Sequence, residues 1–188
     1  MRRLCETVIH DEAQAPPHAL GTCFAYLVEN NILNDLVSLC LPDEPLGILD
    51  EFLRMCTTLV RHIHVPWFLA NEGVAHALLQ LLRSCNKKQQ KPPGLVELVY
   101  ALCARIHQQP DTLRVLVQLG AQLPKERPAD RFPLMTCIVR HITMNGPPGR
   151  HMRTSLVWVM HALLTLGTNH GAAWPALYFD QATCSDLA

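Results

Sequence analysis

The chain has 188 residues, of which 49% are hydrophobic and 17% are charged. This is long enough and apolar enough for one domain with a real hydrophobic core. The 16 basic residues balance 16 acidic ones, so no net charge attracts nucleic acid or an anionic membrane, and nucleic acid is not expected as a partner. The longest apolar stretch, 156–166, contains His161 and is too short to span a membrane.

The predicted elements, in chain order, are all helical. Residues 1–17 are expected to be a weakly ordered N-terminus, and 18–188 a helical-repeat domain. Apolar residues recur at spacings of three and four over 18–41, and Asn30-Asn31 is expected to divide this stretch, because Asn tolerates the left-handed conformation that ends a helix. Further helices are predicted over 46–64, 74–85, 95–109, 112–119 (ended by Gly120), 131–144 and 150–166 (capped by Gly167 and Asn169).

Short loops rich in Pro and Gly separate these helices, and Gly146-Pro147-Pro148-Gly149 predicts a complete break before the last one. No segment has the period-two alternation of a strand. The sequence therefore predicts an all-α fold of seven or eight helices, either a bundle or a stack of helical hairpins.

Similar short sequence segments around three arginines favour the stack of helical hairpins. Arg61, Arg105 and Arg140 lie in Leu-Val-Arg-His-Ile, Ala-Arg-Ile-His and Ile-Val-Arg-His-Ile, at intervals near the roughly 40–47-residue period of HEAT and armadillo repeats. The amino-acid composition of helices alone also explains why such similar segments recur. We therefore predict a HEAT/armadillo-like α-solenoid. A concave groove lined by the three arginines would favour a general armadillo-like binding module, especially one for acidic peptides.

The eight cysteines are spread along the helices without close pairs. Most lie in apolar patterns, where a thiol behaves as a small hydrophobic group. The first residues, Met1-Arg2-Arg3 followed by Glu6, are not expected to form a signal peptide. Free thiols in a reducing, cytoplasmic compartment are therefore expected.

Two Cys/His pairs give the most specific alternative, which is a metal site. Cys103 and His107 are four residues apart on one predicted helix, as are Cys137 and His141 on another, so each pair could hold one side of a zinc ion. The same spacing also describes an apolar Cys one turn before a boundary His. No nucleophile elbow, metalloprotease motif or phosphate-binding loop occurs, so we predict no catalytic residue, no cofactor and no enzyme activity.

The aromatic pair Trp67-Phe68 follows Pro66 directly. Exposed Trp and Phe side chains contribute strongly to protein interfaces, so this pair is a candidate contact for a partner. A linker tucked onto the core is the alternative.

Several stretches resemble one known family. They are 26–33 (Tyr-Leu-Val-Glu-Asn-Asn-Ile-Leu), 46–64 with Val65-Pro66, 74–82 (Val-Ala-His-Ala-Leu-Leu-Gln-Leu-Leu), 98–116, 149–164 and 179–188. These stretches are similar to the N-terminal region of the FHIP family, the Hook-interacting subunits of the FTS–Hook–FHIP complex, also called retinoic-acid-induced-16-like proteins. Family members are several times longer, so the chain is expected to be a truncated solenoid without a closing repeat.

The resemblance implies a non-enzymatic α-solenoid adaptor. Its expected partners are Hook-type and Fused-Toes-type proteins, and its expected role is to link Hook-type dynein adaptors to endosomal or vesicle cargo for microtubule transport. Such a protein would be cytoplasmic and peripheral on early endosomes. The candidate contacts are Arg61, Trp67, Phe68, Arg105 and Arg140. Two alternatives remain: an armadillo-like binding module with unrelated partners, and a zinc-stabilised helical domain.

Overall fold

The computed structural model describes residues 1–16, 19–65, 68–88, 92–122 and 132–170. These residues form nine α-helices and no strand, so the all-α prediction is confirmed for them. The helices are α1 (Arg2–Gln14), α2 (Thr22–Glu29), α3 (Ile32–Cys40), α4 (Ile48–His62), α5 (Glu72–Lys87), α6 (Gly94–Gln108), α7 (Asp111–Gln122), α8 (Pro133–His141) and α9 (Gly146–His170).

The helices pack in two rows. In the first row α6 lies between α4 and α9, and α1 packs against the other side of α4. In the second row α5 packs against α3, α7 and α8. The rows meet where α3 contacts α4, α6 contacts α7 and α8, and α8 contacts α9. Fully buried side chains such as Phe52, Leu81 and Leu98 come from α4, α5 and α6 and form one core between the rows.

Helices α4 and α6 run parallel and approach each other closely. Near their N-terminal ends the Gly94 backbone N–H donates to Asp50 Oδ1 at 2.7 Å. Near their C-terminal ends Arg105 Nη2 donates to the Ile63 carbonyl at 3.2 Å. A Cβ at Gly94 would lie only 3.0 Å from the Leu53 Cβ, so glycine allows the two helix backbones to come together at this point.

The division between α2 and α3 was predicted correctly. Asn31 has φ 55° and ψ 23°, the left-handed conformation, and α3 begins at the next residue. The short amide side chain tolerates this conformation better than a branched residue would. The preceding Asn30 bonds to the Tyr26 carbonyl at the end of α2 twice, through its backbone N–H at 3.1 Å and through its side-chain Nδ2 at 3.0 Å.

The predicted break at Gly146-Pro147-Pro148-Gly149 is wrong, because these four residues form the first turn of α9. Proline is compatible with a helix start, where its missing N–H would have no intrahelical acceptor. The chain turns earlier, over 142–145. Helix α9 also continues through Gly167, and α7 through Gly120, so neither glycine ends its helix.

The N-terminal segment, for which the sequence predicted weak order, contains α1. This helix buries Cys5 and Val8 and packs on α2 and α4. Its carboxylates also satisfy the start of α2: Asp11 Oδ2 accepts from the Cys23 N–H at 2.7 Å, and Glu12 Oε1 accepts from the Gly21 N–H at 2.8 Å. Negative charge at a helix N-terminus is favourable, so α1 stabilises the beginning of α2.

Candidate interaction surface

Five rings from α6 and α9 form a continuous ladder along the seam between these helices. Tyr100 stacks on His151, with ring centroids 4.3 Å apart, and lies 5.1 Å from Trp158. The chain of ring contacts continues from Trp158 to His107 at 5.7 Å, and from His107 to His161 at 5.1 Å in an edge-on arrangement. We call Tyr100, His107, His151, Trp158 and His161 the ring ladder. Such ring pairs add to the packing of α6 against α9.

A charged network joins one end of the ring ladder to α4. Arg61 Nη2 donates to Glu97 Oε2 at 2.7 Å, and both side chains are 46% exposed. The other carboxylate oxygen, Glu97 Oε1, lies 3.2 Å from His151 Nδ1. This places Arg61, one of the predicted contact residues, on a surface that spans α4, α6 and α9.

The outward face of α9 carries an apolar strip. Val157, Met160 and Leu164 are exposed, at 65%, 36% and 67%. They lie three and four residues apart, the spacing of residues on one helix face. We call these three residues the α9 stripe. Exposed arginines, Arg150 and Arg153, precede the stripe on the same helix.

Arg105 does not line a groove, because it is only 5% exposed. Its Nη1 contacts His64 Nδ1 at 2.8 Å, and its Nη2 donates to the Ile63 carbonyl just beyond α4. Burial lowers the pKa of the Arg105 guanidinium from its usual value. A positive group at the carbonyl end of a helix is favourable, so Arg105 closes the C-terminus of α4.

Two further arginines act in the same way. Arg140 is exposed on α8, and its Nη1 donates to the Asn86 carbonyl at the end of α5. Arg153 Nη1 donates to the Ile142 carbonyl, which follows α8, at 3.1 Å. These contacts do not bring the three arginines together into the predicted groove. Arg61 pairs with a carboxylate, whereas Arg105 and Arg140 bond to the ends of two different helices.

Phe68 lies in the core, only 2% exposed, with its ring centroid 5.2 Å from that of Phe24. This is the tucked arrangement that the sequence left as the alternative to an exposed contact. Trp67, the other half of the predicted pair, lies outside the described residues.

The four residues of the zinc alternative have different surroundings. Cys103 and Cys137 are fully buried, and burial raises the pKa of the Cys103 thiol to about 12. His141 Nδ1 is 2.7 Å from the Cys137 carbonyl, whereas His107 is exposed in the ring ladder. Within the described ranges no three His, Cys, Asp or Glu side chains are grouped as metal ligands. The cysteines described there are not joined in disulfides.

The ring ladder was missed from the sequence, although a signal for it exists. Tyr100 and His107 are seven residues apart on α6, and His151 and Trp158 are seven apart on α9. Seven residues are close to two helical turns, so each pair lies on one face. That spacing marks two ring-bearing faces, but it does not reveal that α6 and α9 are neighbours.

Comparison with protein-family models finds a match for most of the chain. A family model described as retinoic acid induced 16-like protein matches residues 23–171. The match includes α2 from its second residue to α9, with the ring ladder and the α9 stripe, but neither α1 nor the stretch 179–188. A comparison with curated proteins finds no match. In the part of the chain that the structure describes, no helix has both the length and the hydropathy needed to cross a bilayer.

Proposed function

The chain belongs to the retinoic acid induced 16-like family, and on that premise we propose that it is a non-enzymatic scaffold or adaptor of the FHIP type. In this role it links Hook-type dynein adaptors to endosomal or vesicle cargo for transport along microtubules. Hook-type and Fused-Toes-type proteins are the proposed partners, and the cytoplasmic face of early endosomes is the proposed location. The family match over 23–171 is the observation that carries this proposal.

The proposed architecture for this role is an α-solenoid of HEAT/armadillo type. The two rows support it, since α4, α6 and α9 alternate along the chain with helices of the other row. In a solenoid each repeat contacts mainly its neighbours, which leaves long surfaces for partner proteins. The surface of α4, α6 and α9 is the proposed partner side, because it carries Arg61, the ring ladder and the α9 stripe.

Among the residues predicted as contacts, Arg61 and Arg140 are exposed and remain candidates. Arg61→Ala tests a contact directly, because its pair with Glu97 is exposed and contributes little to stability. Arg140→Ala also removes the bond to the Asn86 carbonyl, so its effect on binding is interpreted only if thermal stability is retained.

The test is affinity capture of the tagged full chain from cytosol, read by quantitative mass spectrometry. We expect enrichment of Hook-type and Fused-Toes-type proteins over an unrelated helical protein with the same tag. Purified components then establish a direct contact by co-elution in size-exclusion chromatography. A chain that is folded and helical by circular dichroism but enriches neither partner contradicts the proposal.

A further inference from the structure

Helix α9 has two apolar faces, and only one of them is covered by other residues of the described ranges. Its inward face is buried against the core through residues such as Met152, Val159 and Leu166. Its outward face carries the α9 stripe, whose outer members Val157 and Leu164 are exposed by about two thirds, at 65% and 67%. The three-and-four spacing is that of a helix that packs against another helix.

The other apolar side chains that are more than half exposed in the described residues are not aligned on one helix. Tyr26, Leu39 and Leu46 are exposed at 60%, 67% and 93%, but they lie on α2, on α3 and in the turn before α4. Single exposed apolar residues are normal on protein surfaces, whereas an aligned set marks an interaction site.

The charge around the α9 stripe is positive. Helix α9 contains no Asp or Glu in its sequence, and Arg150, Arg153 and His161 are exposed on it. The N-terminal end of the helix adds a partial positive charge beside the arginines. On the neighbouring α6 the carboxylate of Glu97 is already engaged by Arg61. The partner that complements this surface therefore combines apolar residues with negative charge.

We infer that the α9 stripe is the docking site for an acidic amphipathic helix of a partner protein. The apolar residues of that helix pack on Val157, Met160 and Leu164, and its Asp or Glu side chains lie against Arg150 and Arg153. This deepens the proposed function, on which it depends for the identity of the partner. A second copy of the chain fits less well, because its α9 would bring more arginines and no carboxylate.

The probe is a labelled synthetic helix of about 20 residues, long enough to lie along the stripe and the arginines. It carries Leu at alternating three-and-four spacing with Glu on the flanking positions, and a matched peptide carries Lys in place of Glu. Fluorescence anisotropy with the full chain measures binding. We expect the Glu peptide to bind at least about tenfold more tightly than the Lys peptide, with the difference reduced at high salt.

Variants of the full chain locate the site. Leu164→Glu is expected to weaken binding of the Glu peptide by about tenfold or more. Leu39→Glu is the matched control, because Leu39 on α3 is also 67% exposed and should leave binding unchanged. Arg150→Glu should weaken the Glu peptide and improve the Lys peptide, an exchange that a loss of folding cannot produce. Circular dichroism checks that each variant remains helical.

Several results overturn the inference: equal binding of the two peptides, binding that survives Leu164→Glu, or equal losses in Leu39→Glu and Leu164→Glu. A photo-crosslinking residue introduced as Leu164→p-benzoyl-phenylalanine identifies the occupant directly. Crosslinks to the Glu peptide support the inference, whereas crosslinks mainly to a second copy or to residues 171–188 of the same chain overturn it.

The outcomes separate this inference from the proposed function. If Leu164→Glu captures Hook-type proteins as well as the wild type does, the adaptor function stands and the α9 site is wrong. If the Glu peptide binds at α9 but no Hook-type or Fused-Toes-type protein is captured, the site stands and the proposed adaptor function is wrong.

Discussion

Replacing Gly149 with alanine is expected to destabilise the protein through a clash between backbone atoms. Gly149 lies in the first turn of α9, close to the backbone of Met144 in the preceding turn. A Cβ at Gly149 would overlap the Met144 carbonyl oxygen and lie 2.7 Å from the carbonyl carbon. No change of rotamer relieves an overlap with backbone, so the turn before α9 has to move.

The size of the effect follows from comparison with a second helical glycine. A Cβ at Gly73, near the start of α5, meets only Asn71 Oδ1 at 3.2 Å. Alanine in a helix is more favourable than glycine by about 0.5–1 kcal/mol, and this gain is common to both substitutions. Overpacking costs about 1–3 kcal/mol, and backbone overlap belongs at the upper end. Gly149→Ala should therefore be less stable than Gly73→Ala by about 2–3 kcal/mol.

Thermal and urea unfolding followed by circular dichroism at 222 nm measure this difference. For a chain of this size about 1 kcal/mol corresponds to about 2–4 °C in Tm, so Gly149→Ala should melt about 4–12 °C below Gly73→Ala. Gly73→Ala should equal or slightly exceed the wild type. If the two variants melt together, the turn before α9 accommodates a methyl group and the reasoning from the overlap is refuted.

Three further predictions each concern a single side chain and are measured by urea unfolding. Arg105→Ala should cost about 2–3 kcal/mol, since it leaves a buried carbonyl without its donor, whereas Arg61→Ala should cost less than about 1 kcal/mol because its ion pair is exposed; equal costs would contradict the assigned burial. Asp11→Ala should cost about 1 kcal/mol through the lost cap of α2, and no change would mean that water replaces the carboxylate. Burial raises the pKa of the Cys103 thiol to about 12, while a thiol in the unfolded chain ionises near pH 8.5. The contribution of Cys103 to the free energy of unfolding should therefore be fully present below about pH 8.5. The free energy of unfolding should then fall toward pH 12 by up to about 1.4 kcal/mol per pH unit, and this fall should be less steep in Cys103→Ala.

Local features of the sequence were sufficient to predict the helices, but not always their ends. Apolar spacing located α4, α5 and α6 to within a few residues, and Asn30-Asn31 marked the division of α2 from α3. The error at Gly146-Pro147-Pro148-Gly149 arose because proline can begin a helix as well as end one. Which of these applies depends on the residues over 142–145, whose turn is fixed by contacts with the rest of the fold.

The surface could be predicted only in part, because it depends on which helices are neighbours. The sequence identified Arg61, Arg105 and Arg140 as related residues, but nothing local distinguishes an arginine that faces a carboxylate from one that faces a helix end. The burial of Phe68 likewise depends on Phe24, which lies on α2. Spacing along one helix shows which residues share a face, and tertiary packing decides what that face contacts.

The arginine contacts also indicate how the stability of one helix depends on another. Arg105 on α6 bonds to the carbonyl after α4, and Arg140 on α8 bonds to a carbonyl at the end of α5. In both cases a helix end is satisfied by a side chain from a helix further along the chain. These two carbonyls therefore gain their arginine donors only when the later helix has docked. Because this holds in both rows, loss of α6 or α8 packing should weaken helices that precede them, and the described helices should unfold together rather than one at a time.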